Sequence, residues 1–160
     1  MIGAFDVIEH IPEDRGVLTE CHAALRPNGL LVLSVPQHMA LWSPCDESAH
    51  HCRRYESRGL RALLTETGFE PLVTTSFNSL PLPLMLLSRL RSRRTINVDP
   101  SSELRIGPTL NRALGAMLSV ERSLTKLGVR WPVGGSRIVV AKRVPLTLRQ
   151  TVEPDPMNVR

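Results

Sequence analysis

Aromatic side chains are scarce in this chain, which has three phenylalanines, two tryptophans and one tyrosine among 160 residues. Stacking platforms for single-stranded nucleic acid are therefore few, and no stretch interleaves basic with aromatic residues. The net charge of +5 and the pI near 9.9 would draw phosphate whatever its sequence. The densest basic cluster, "RLRSRR" at residues 89–94, nevertheless reads better as a solvated helix end, and no nucleic-acid partner is expected.

Cysteine is equally sparse. Cys21, Cys45 and Cys52 make no even disulfide framework and no C-x-x-C pair, which fits a reducing, cytoplasmic setting. Long apolar runs are missing too: the longest, "LPLPLMLL" at residues 80–87, holds two prolines and falls far short of the roughly 18 residues of a membrane span. The opening residues carry Asp6 and Glu9 but no early Lys or Arg, so no secretory leader is expected. Hydrophobic residues still make up 42%, and the length suits one soluble domain with a real core.

What is present alternates between helix and buried strand. Pro12, Glu13 and Asp14 suit a helix N-terminus, followed by Val17, Leu18, Cys21, Ala24 and Leu25 at helical spacing, with "RPNG" at residues 26–29 as the stop. "LLVLSV", Leu30 to Val35, is a short unbroken apolar run, as expected for a strand covered on both faces. Pro36 to Tyr55 has no clean period and reads as a long polar loop. Ser57 is expected to cap a second helix facing inward through Leu60, Leu63 and Leu64 and closed by Gly68. "PLVTTSF", Pro71 to Phe77, and "RIVVAKR", Arg137 to Arg143, have strand character. Between them two helices are expected, near Pro83 to Arg91 and from Pro108 to Leu127, joined by a linker at Val98 to Glu103. A domain over residues 1–143 and a flexible tail over 144–160, with three prolines, complete the reading.

Two stretches carry chemistry. The first is "FDVIEHIPED" at residues 5–14, where an apolar strand hands over to a helix, the place where α/β proteins keep ligand-contacting loops. Its Glu9-His10 pair reads equally as helix-end chemistry or as part of a site. The second is "WSPCDESAHHCRRY" at residues 42–55. Cys45, His50, His51 and Cys52 lack the spacing of a tetrahedral zinc site, so no metal is expected. Cys52 beside His51 lacks what a nucleophilic pair needs, since adjacency in sequence does not supply the geometry. Two readings stay open: a polar wall with His51 as general base, Arg53 and Arg54 as charge clamps and Tyr55 packed behind them, or arginines that pair with Asp46 or Glu47 and hold the loop shut.

Taken together, "FDVIEHIPED", "LRPNGLLVLSVP", the D-E-x-x-H-H-x-R-R-Y pattern at residues 46–55, "ETGFE", "SFNSLPLPLMLL" and "GGSRIVVAKR" resemble the C-terminal part of class I S-adenosylmethionine-dependent methyltransferases. The resemblance runs from about Ile2 to Lys142. It implies an α/β, three-layer Rossmann-like sheet, here incomplete: of the family's strand order 3-2-1-4-5-7-6, this chain would supply 4-5-7-6. The last strand would be antiparallel, with a helical insertion between the final two strands in sequence. It further implies S-adenosylmethionine as cofactor, lined by Ala4, Phe5 and Asp6, with His10 near the methyl and His51 as candidate base. The acceptor, a small or lipid-linked molecule, would lie against Trp42, Arg53, Arg54 and Tyr55. No G-x-G occurs in the 160 residues, so the loop that approaches the cofactor's methionine end is absent from this sequence. Two expectations follow: a truncated methyltransferase, inactive as this chain alone, or a non-catalytic remnant serving as a binding or regulatory subunit. In either case the first strand would offer an unpaired edge for association.

Overall fold

The computed structural model describes residues 1–92 and 107–145. β1 (Ile2–Phe5) runs into a short 3-10 turn at Ile8–His10 and then α1 (Asp14–Ala24). The chain returns as β2 (Leu30–Pro36), parallel to β1 with Ile2 opposite Leu31 and Phe5 opposite Ser34. At the turn between α1 and β2, Asn28 takes a left-handed φ of 60°. Gly29 follows because a Cβ there would sit 2.8 Å from the Arg26 carbonyl oxygen.

After β2 come a 3-10 turn at Met39–Leu41, a one-turn helix α2 (Pro44–Ser48), then α3 (Ser57–Glu66) and β3 (Phe69–Phe77). The insertion supplies α4 (Leu82–Ser92) and α5 (Pro108–Lys126), and the described chain ends with β4 (Ser136–Arg143). β4 lies antiparallel between β2 and β3, giving the order β1-β2-β4-β3. This is the 4-5-7-6 arrangement with an antiparallel last strand, the partial Rossmann-like sheet that the resemblance implied.

β2 has neighbours on both sides, and its apolar run follows from that: Leu31, Leu33 and Val35 are buried beside Ala141 and Val139 of β4. Leu18 and Leu25 from α1 and its end, Leu60 and Leu64 from α3, with Ile8, Tyr55 and Phe69, complete one core. β1 is an edge strand, and Phe5 at its end is 61% exposed.

Four details depart from the sequence reading. The Pro36–Tyr55 segment is not structureless, since α2 and a 3-10 turn sit inside it. Ser57 does not cap α3 but is its first residue; Glu56 holds the cap position, with its side chain turned to His38 Nδ1 and the Met39 amide. Arg89, placed in a solvated helix end, is half-buried and donates to the Leu41 carbonyl. The linker at Val98 to Glu103 and the tail from residue 146 onward lie outside the described residues. Val144, assigned to that tail, is tied in: its amide donates to the Gly68 carbonyl, and its own oxygen lies 2.9 Å from His22 Nε2.

Candidate functional site

The two chemistry-bearing stretches meet at the C-terminal end of β1. Asp6 leaves the strand in the left-handed region (φ 51°), and its amide donates to the backbone carbonyl and Oγ of Ser34 on β2. That anchor starts the 3-10 turn, which buries Ile8 and Glu9 and leaves His10 exposed. The 51–55 segment docks on this turn. The Cys52 amide donates to the Glu9 carbonyl at 2.7 Å, and Cys52 Sγ lies 3.4 Å from the His10 carbonyl. The rings of His10 and His51 meet edge to face, with centroids 4.6 Å apart and an interplanar angle of 82°.

Asp46 organises the loop. Ser43 and Asp46 form a reciprocal cap at the start of α2: Ser43 Oγ accepts from the Cys45 amide, and Asp46 Oδ2 accepts from the Ser43 amide at 2.9 Å. The buried carboxylate also takes Arg54 Nε and Nη2, both at 2.9 Å, one on each oxygen. His51 Nδ1 lies 2.8 Å from Oδ1. Burial alone would raise the Asp46 pKa, but the hydrogen bonds and charge of Arg54, helped by His51 and the Ser43 amide, outweigh it and hold the carboxyl below its ordinary value. Arg54 Nη1 donates to the Gln37 carbonyl as well, pinning the loop to the end of β2.

A second tie joins the same segment to α1. The Tyr55 hydroxyl donates to Asp14 Oδ2 at 2.7 Å, with the Ile8 carbonyl at 3.3 Å. Arg53 Nη1 pairs with the same Asp14 oxygen at 2.6 Å, and its Nη2 donates to the Pro12 carbonyl. Burial first, and then the Asp14 carboxylate, push the Tyr55 hydroxyl far above its ordinary pKa.

The expected site residues therefore divide. His10 and His51 come together, with Glu9 between the two segments. Arg54 follows the loop-closing reading through Asp46; Arg53 ties down the loop as well, but through Asp14 rather than Asp46 or Glu47. Tyr55 is buried in the core cluster with its polar tip satisfied. Trp42 is half-buried and reaches Glu47 Oε1 at 3.4 Å; among the described contacts it is not joined to the histidines. Ala4 packs against the core, whereas Phe5 and Asp6 are exposed at the end of β1.

Sequence reasoning named Asp46 as an arginine partner but missed its cap on α2 and its hold on His51. The signal was available: a Ser at residue 43 with an acidic residue three positions on and Pro44 between them is a helix-start pattern. It also left Glu9 undecided. That carboxyl is fully buried, and burial raises its pKa with a smaller contribution from Asp6, against the opposing pull of its own backbone amide and of His51 and His10.

The methyltransferase domain family matches residues 1–74, the stretch that carries β1, the histidine pair, the Asp46 loop and α3. Among solved structures, a protein from Galdieria sulphuraria assigned as a sarcosine dimethylglycine methyltransferase aligns at 16% identity and a TM-score of 0.47, over 89% of this chain and 52% of its own. Phosphoethanolamine N-methyltransferase 2 from Haemonchus contortus, solved with S-adenosyl-L-methionine, aligns at 12% identity and a TM-score of 0.45, over 89% of this chain and 33% of its own. The chain thus spans about half the length of the first and a third of the second. No curated protein matches it. The similarity to a methyltransferase domain thus rests on residues 1–74, from β1 into β3.

Proposed function

We propose that this chain forms the acceptor side of a site for methyl transfer from S-adenosylmethionine. The observation that carries the reading is the convergence of His10 and His51 at the C-terminal end of β1, inside the stretch matched by the methyltransferase domain. The donor methyl is already activated on a sulfonium, so the protein's task is alignment and exclusion of water. Ala4, Phe5 and Asp6 line the cofactor's side. His51, with Nδ1 held by Asp46, keeps its Nε2 lone pair for an acceptor that must lose a proton. Trp42 and the insertion close over the acceptor, while Arg53, Arg54 and Tyr55 hold the loop that presents it.

The acceptor is a small or lipid-linked molecule. Leu84, Leu87 and Leu90 on α4 and Met117, Leu118 and Val120 on α5 are exposed, which favours an apolar acceptor tail near the insertion. Among the described residues no helix is long and apolar enough to cross a membrane. The free cysteines fit action in a reducing, cytoplasmic compartment.

The 160 residues contain no G-x-G loop, so on its own this chain binds S-adenosylmethionine weakly and turns nothing over. The test is titration of the 15N-labelled chain with S-adenosylmethionine, followed by NMR. Weak, saturable shifts at the amides of Ala4, Phe5, Asp6 and His10 are expected. Shifts confined to other regions, or none at any concentration, overturn the assignment of this face and favour a remnant serving as a binding subunit. Tight binding overturns the expectation of weakness.

A further inference from the structure

Methyl transfer leaves Glu9 unexplained. Its side chain is 0% exposed, and among the described residues neither carboxylate oxygen meets a hydrogen-bond partner. Buried carboxyl groups in native proteins are paired, hydrogen-bonded or bound to a cation, because an orphaned one has lost its water and gained nothing in return. What does face Glu9 is a pair of imidazoles. Ligand atoms of Glu9, His10 and His51 all lie within 4.8 Å of one another.

These three side chains come from two segments that the backbone clamps together, through the Cys52 amide on the Glu9 carbonyl. His51 is oriented from behind. With Nδ1 at 2.8 Å from Asp46 Oδ1, and Asp46 itself fixed by both donors of Arg54 and by the Ser43 amide, the ring is held as the tautomer whose Nε2 is a lone-pair donor. A carboxylate behind an imidazole is the outer-shell arrangement that metal-binding histidines use to fix ring orientation and raise basicity.

We propose that Glu9, His10 and His51 form a binding site for a divalent transition-metal cation, with Asp46 as the positioning residue behind His51. Two imidazoles and one carboxylate suit zinc, iron, cobalt or manganese, whereas magnesium and calcium favour all-oxygen sets. Three protein ligands leave a position open, and the exposure of His10 brings solvent to the cluster, as in a site that accepts an exogenous ligand and not a closed structural one. Coordination at about 2 Å per ligand asks these atoms to draw inward. His10, exposed on its short turn, has the freedom to do so.

The sequence reading weighed Cys45, His50, His51 and Cys52 and expected no metal; the fold turns His51 toward Glu9 and His10 instead. The inference does not depend on methyl transfer. It does assign the His51 Nε2 lone pair to the cation, so in the loaded protein that nitrogen is no longer a base.

Titration of the metal-free 160-residue chain with cobalt(II), read by visible absorption and calorimetry, tests this directly. One cation per chain is expected, with weak ligand-field bands and without the intense near-ultraviolet absorption of thiolate ligation. His10→Ala, at an exposed position, lowers the affinity at least tenfold. Glu9→Gln and His51→Ala do the same, with circular dichroism reporting that the helices persist. Cys45→Ser and Cys52→Ser leave the affinity unchanged. Absence of saturable one-to-one binding by the wild-type chain overturns the site. So does binding that is indifferent to His10→Ala or that disappears with the cysteines, whatever the outcome with S-adenosylmethionine.

Discussion

Replacing Asp46 with asparagine tests the loop's architecture most sharply. The side chain is nearly isosteric, so packing is preserved, but the charge is lost and one acceptor oxygen becomes an NH2 donor. Arg54, whose side chain is only 10% exposed, then keeps a buried charge with half its fork unmet. Breaking one side of a buried ion pair costs about 3–5 kcal/mol. For a domain whose whole stability is about 5–15 kcal/mol, that is a large share. At about 2–4 °C per kcal/mol for a domain of this size, Tm falls by about 6–20 °C. Urea unfolding followed by circular dichroism measures the loss. Arg54→Met, made alone and combined with Asp46→Asn, completes a double-mutant cycle: once the guanidinium is gone, the added cost of Asp46→Asn shrinks, because the unmatched charge was its main source. An Asp46→Asn protein within about 0.5 kcal/mol of wild type, the scatter of ordinary surface substitutions, refutes the idea that this pair holds the loop.

Tyr55 is the single tyrosine of the chain, so its ionisation can be followed alone by absorbance at 295 nm. Because its folded pKa is raised above the unfolded value of 10.0, the stability it contributes is complete below pH 10 and is lost as pH rises toward the folded pKa. Tyrosinate is expected only together with loss of the helical signal, and reversible ionisation near pH 10 in a still-folded protein contradicts the burial described here. Gly134→Ala places a Cβ 2.9 Å from Ser76 Cβ and against the Phe77 carbonyl; a loss of about 1–3 kcal/mol is expected by thermal melting, whereas Gly107→Ala, with open space around it, costs well under 1 kcal/mol. Leu33→Ala, in the middle of the core and 1% exposed, is expected to cost about 2–5 kcal/mol in urea unfolding, and a smaller loss places Leu33 outside the core.

The strands were readable because burial writes itself into composition. Leu30 to Val35 is apolar at nearly every position because β2 is paired on both sides, and β4 alternates because one of its faces is less covered. Their lateral order was not readable from periodicity, since pairing between β2 and β4 joins residues about a hundred positions apart; it came through the family resemblance alone. In the loop, the two arginines look alike in sequence, yet Arg54 goes to Asp46 on the preceding helix and Arg53 to Asp14, forty residues back. Only the fold could separate them. Glu9 escaped for the opposite reason: acidic residues are normally at the surface, and nothing in "VIEHIPED" marks one that is fully covered.

β2 and β3 run in the same direction, and among the described residues their backbones do not pair with each other but each pairs with β4. During synthesis the strand that unites them emerges last among the described elements. Until Ser136–Arg143 has left the ribosome, β2 and β3 hold open seams along which a wrong strand could register, and a stop codon shortly before residue 136 would leave two disconnected pieces of sheet and not a slightly shorter domain.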